Sequence, residues 1–120
     1  MNIHKLRKSF IHAYHGLRKI LIKENSFKFM LVISLGVIIL MFVLPTTKIE
    51  KIILLILCLI VLGFEMFNTL FEKLLDWLHP NENENIRDLK DLSAAIVLFV
   101  SIIVGILGLI ILLPYVFKLK

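Results

Sequence analysis

Three aliphatic runs govern what this chain can become. Residues 29–47 carry no charge, residues 52–64 are almost wholly Ile, Leu and Val, and residues 92–117 are again uncharged. A helix rising ~1.5 Å per residue needs about 20 such residues to cross a bilayer core of ~30 Å. With no water in that core, each span must satisfy its own backbone hydrogen bonds, which a helix does. The hydrophobic fraction is 59% with only 10% aromatic residues, against ~45–50% apolar in soluble domains. The sequence therefore predicts an all-α membrane protein.

Ahead of the first run, Ile3, Leu6, Phe10, Tyr14, Leu17 and Leu21 recur at spacings of 3 and 4 as an apolar stripe. Lys5, Lys8, His12, His15 and Lys19 form a second, basic stripe, with Arg18 beside it. A basic amphipathic helix before a span lies in the interface plane. Packing on a soluble partner is the alternative. His12 and His15 lie close enough on such a helix to share a metal, but no further zinc-type ligand stands nearby. Polar residues at an interface are the plainer account. The expected layout is one domain over residues 1–120, with an interfacial amphipathic helix over 3–22 and three transmembrane helices over 29–47, 52–77 and 86–117. Pro45-Thr46-Thr47 ends the first span, and Lys48, Glu50 and Lys51 make a short turn into an antiparallel second one. The basic opening does not read as a cleavable leader, so the apolar runs are expected to be the mature anchors.

The second run does not stop at Phe64. Glu65, Asn68, Thr69, Glu72 and Asp76 follow at helical offsets and share one face. An ionisable residue in an apolar segment is costly and marks a candidate site. Glu72 should fall near the interface, with Glu65 about 10 Å deeper by helical rise. His79-Pro80 closes the helix, because proline disfavours helical geometry in the residue before it. Asn81 to Asn85 make a polar loop with good cap residues, and Lys90 and Asp91 open the last span. Gly105 and Gly108 inside that span offer a place for close helix approach.

Orientation follows from the basic residues. Lys5, Arg7, Lys8, Arg18, Lys19, Lys23 and Lys28 lie in the N-terminal arm, with Lys73, Arg87 and Lys90 around the second loop. The other side has Lys48, Lys51, Lys118 and Lys120. The positive-inside rule puts the N-terminus in the cytoplasm, and Glu24, Glu72, Asp76, Lys90 and Asp91 on that same side. The net charge of +5 suits anionic headgroups, and no basic stripe interleaved with aromatics points to nucleic acid. Cys58 is the only cysteine, which excludes an internal disulfide, and its Leu and Ile neighbours suggest simple packing.

These groups suit a particular chemistry. Glu24 and Glu72 are hard oxygen ligands for a Mg²⁺ held jointly with phosphates. Lys90, and Arg18 on the first helix, are point charges for phosphate oxygens. Glu65, removed from water, is suited to act as a base at the depth of a lipid hydroxyl. Together they describe phosphoryl transfer from a nucleotide to a lipid alcohol. No glycine-rich phosphate loop is present, so side chains at the cytoplasmic face must hold the ATP. Two other readings stand beside this one: a polar helix seam in a membrane scaffold, and a small transporter or channel with Glu65 as its ion site.

The pattern Glu65-x-x-Asn68-Thr69-x-x-Glu72-x-x-x-Asp76, a loop, then Lys90-Asp91-x-x-Ala94-Ala95, resembles the signature of the bacterial integral-membrane diacylglycerol kinases, which include undecaprenol kinases. The resemblance extends upstream to Gly16-Leu17-Arg18 and Glu24. It implies that Glu24 and Glu72 ligate the metal bridging the ATP phosphates, that Glu65 is the general base, and that Asn68 helps place it. Lys90 and Asp91 would lie at the nucleotide. The candidate nucleotide-binding set is thus Arg18, Glu24, Glu72, Asp76, Lys90 and Asp91, with Asn68 and Glu65 at the lipid. The resemblance further implies a homotrimer with shared sites in the bacterial cytoplasmic (inner) membrane. It leaves two acceptors open, diacylglycerol giving phosphatidic acid, or undecaprenol. Asn83 stands where the family often has His, and Leu70 and Phe71 where it often has Ala and Ile.

Overall fold

A computed structural model describes residues 2–117; Lys118 and Lys120, counted above for orientation, lie outside them. Among the described residues there are four helices and no strand: α1 (Ile3–Lys23), α2 (Asn25–Val43), α3 (Lys48–Leu78) and α4 (Glu84–Val116). The last three are each long and apolar enough to cross a membrane.

Local chemistry sets the helix ends. Asn2 caps α1, its side chain accepting from the His4 amide at 3.0 Å. One residue, Glu24, separates α1 from α2; its backbone is extended, with φ −102 and ψ 106. The α2 helix begins at Asn25 and ends at Val43, earlier at both ends than the aliphatic run suggests. The reason at its C-terminus is Pro45, which drives Leu44 out of helical geometry to φ −84 and ψ 150.

Lys48, Glu50 and Lys51 stand in the first turn of α3 and not in a loop. Thr47 and Glu50 make a capping box there: the Glu50 amide donates to Thr47 Oγ1 at 3.2 Å, and the Thr47 amide to Glu50 Oε1 at 2.9 Å. Tyr115 Oη donates to the same Glu50 oxygen, tying the end of α4 to this turn. Lys51 Nζ donates to Thr46 O at 2.6 Å and to Thr46 Oγ1 at 2.9 Å. At the opposite end, α3 stops at Leu78 before His79-Pro80, and Asn83 caps α4 by accepting from the Ile86 amide at 3.0 Å.

α3 is the central element, packed against α4 on one side and α2 on the other, while α1 meets the bundle chiefly through α2. Met41, Leu54 and Leu112 form the buried core near the capped turn, and Leu54 is only 1% exposed. Buried Cys58 sits against Ser34, with Sγ 4.0 Å from its carbonyl oxygen. Elsewhere the spans present large apolar side chains outward, among them Phe29, Ile39, Phe67, Leu98 and Phe99. In water so much exposed apolar surface would drive association; for these helices hydrocarbon is the natural surrounding. A Cβ built on Gly105 or Gly108 would meet nothing within 4 Å, so no close approach within the chain uses them.

Candidate functional site

The polar stripe lies at the end of the bundle away from the Glu50–Tyr115 clasp. Glu65 is 8% exposed within α3. One turn on, Asn68 faces α4. Its Nδ2 donates to Glu72 Oε1 at 3.2 Å, and its Oδ1 accepts from Ser93 Oγ at 2.6 Å. Both ends of the amide are thereby assigned, and α3 is tied to α4 across the site. Glu72 follows Glu65 by seven residues, so both point along one helical face about 10 Å apart in rise.

Ser93 escaped the sequence reasoning. It occupies an unassigned place in the Lys90-Asp91-x-x-Ala94-Ala95 pattern, three residues after Lys90 and therefore on the same face of α4. That spacing was the available signal. Which α3 residue it would meet depends on how the two helices are rotated against each other, which no single-helix period reports.

A second set of contacts crosses the mouth of the site. Lys90 Nζ pairs with Asp76 Oδ1, so Asp76 fixes the ammonium that the sequence assigned to phosphate. Lys73 Nζ pairs with Glu24 Oε1 at 3.1 Å. This bridge brings Glu24, from the α1–α2 junction, to the residue adjoining Glu72. Arg18 is exposed on α1 and lines a small recess with His15, Lys19, Ile22 and Lys23, apart from the α3–α4 contacts. Asp91 is exposed and forms no ion pair among the described residues. Asn83, in the place of the family His, is spent on capping α4.

Two apolar grooves flank the stripe. One, of about 340 Å³, runs between α3 and α4 and is lined by Phe64, Phe67, Phe71, Leu74, Leu92 and Ile96, with Asn68 and Ser93 as its polar members. The other, of about 690 Å³, lies between α1 and α3. Phe67 and Leu70 line both, forming the ridge between them.

Among the described residues no group of three or more His, Cys, Asp or Glu side chains stands ready to enclose a metal. Two carboxylates, with the remaining positions left to phosphates and water, match how Mg²⁺ is usually held in phosphoryl-transfer sites. The donor set fits that ion on chemistry.

Compared with models of known families, residues 11–112 match the one described as prokaryotic diacylglycerol kinase. No curated protein matches the chain.

Proposed function

The chain belongs to the prokaryotic diacylglycerol kinase family, and on that premise we propose that it moves the γ-phosphoryl group of ATP to the primary hydroxyl of diacylglycerol, giving phosphatidic acid. Membership makes it a multi-pass membrane lipid kinase using ATP and a lipid substrate. The acceptor, the residue roles, the choice of Mg²⁺, the homotrimer and the inner-membrane, N-terminus-inside topology belong to the proposal.

One observation carries the residue roles: a buried carboxylate, Glu65, lies on the same α3 face as a braced Asn68–Glu72 pair. In the reaction the lipid hydroxyl oxygen bonds to the γ-phosphorus as the bond to the β-bridging oxygen breaks. Glu65 takes the hydroxyl proton, and ADP leaves with the bridging oxygen's electron pair. Asn68, held by Ser93, donates to Glu72 and not to Glu65, the residue the resemblance has it place, and so keeps Glu72 in position. Lys90, steadied by Asp76, meets phosphate oxygens, and Asp91 and Arg18 complete the charged surround. Glu24 and Glu72 would hold Mg²⁺, which when bound offsets phosphate charge. Trimerisation would cover outward apolar surface on the spans and join sites between subunits.

Purified protein incubated with labelled ATP and extracted membrane lipids tests the reading. Labelled phosphatidic acid is the expected product. Labelled undecaprenyl phosphate in its place would move the acceptor to undecaprenol. No labelled lipid at all would overturn the kinase proposal.

A further inference from the structure

Glu24 is the one extended residue between α1 and α2, and its side chain caps neither helix. It is drawn across to α3 by Lys73, 3.1 Å away, in a bridge whose side chains are 29% and 63% exposed. Lys73 directly follows Glu72 in the chain and also lines the α1–α3 groove with Lys19 and Lys23. Of these lysines only Lys73 has an ion-pair partner among the described residues. The chain thus places a cation on one expected metal ligand, and that cation belongs to the residue that follows the other in α3.

We propose that Lys73 is a positioning residue that acts as the resident counter-ion of Glu24. Its ammonium holds this carboxylate against α3, at the residue next to Glu72 in the chain, until a divalent cation replaces it. The inference rests on the reading of Glu24 and Glu72 as metal ligands. An ammonium and a divalent ion on one carboxylate repel each other, so loading is an exchange of cations and not a simple addition. The displaced ammonium goes back to a groove rim already carrying Lys19 and Lys23, where like charge resists it. Both effects weaken the affinity for free metal while keeping the empty site from holding two unbalanced carboxylates.

The test is Mn²⁺ binding by the full-length protein in detergent, without nucleotide, followed by the loss of the free-ion paramagnetic resonance signal. Lys73→Gln should bind Mn²⁺ about three- to fivefold more tightly, the scale of a half-exposed ion pair. Lys73→Arg, which keeps the bridge, should match wild type. Lys23→Gln removes a charge next to Glu24 in the chain without touching the bridge, and should change affinity by less than Lys73→Gln. In a Glu24→Gln background, Lys73→Gln should add no further tightening, as a double-mutant cycle requires of a direct pair. Affinity in Lys73→Gln that is unchanged, weaker or equal to that of Lys23→Gln would overturn the proposal. If Glu24→Gln and Glu72→Gln still weaken Mn²⁺ binding in that case, the metal reading survives alone. If neither weakens it, the metal reading falls and takes this inference with it.

Discussion

Glu65 and Glu72 share a helix face but are expected to fail differently. A base contributes about 10²- to 10⁴-fold to rate while adding little to ground-state affinity. Glu65→Gln should therefore abolish most lipid phosphorylation with Mg²⁺–ATP affinity within a few-fold of wild type. Glu72→Gln should damage both, which a nucleotide-binding titration beside the assay would show; equal loss of affinity in both variants would make Glu65 a ligand. Ser93 gives a finer test. Losing its hydroxyl leaves Asn68 Oδ1 without the donor seen at 2.6 Å, and one hydrogen bond is worth about 0.5–1.5 kcal/mol. Ser93→Ala should lower the turnover rate by about two- to tenfold, and Ser93→Thr should recover most of it. The carboxylate stripe was legible because helical spacing alone aligns it. The Ser93–Asn68 and Lys73–Glu24 contacts were not, because each joins two elements whose mutual rotation is a property of packing.

The helices illustrate the same division. The α1 periodicity and the three apolar runs identified every element, since hydrophobic pattern and helix are one physical fact in a bilayer. Their ends were set by finer chemistry: Pro45 acts on the residue before it, and the Thr47–Glu50 box recruits Lys48 to Lys51 into α3. That box has a measurable value. Thr47→Ala removes the cap and should cost about 1 kcal/mol, read as a lower thermal midpoint by circular dichroism. Catalysis at saturating substrate should change little, because the box lies at the other end of α3. An unaltered midpoint would mean that Tyr115 and Lys51 hold the turn without it.

At the scale of the whole molecule, the proposed topology places the α3–α4 loop with ATP in the cytoplasm. Cysteines substituted at Asn81 and Lys48, in a Cys58→Ala background, should react with impermeant reagents from opposite sides of intact cells, Lys48→Cys from outside. Neither substitution removes a helix cap, as a change at Asn83 or Thr47 would. Labelling of both from outside would remove the site from the nucleotide pool. Glu24 adds a consequence of its own. In the proposed layout the same residue is the elbow between a helix lying along the membrane surface and one crossing it, and its carboxylate is bridged to Lys73 on α3, beside the proposed site. Any change in the angle at which the first helix floats must swing that carboxylate. Thinner or more strongly bent bilayers alter this angle, so turnover should vary with acyl-chain length in reconstituted vesicles even at fixed substrate fraction.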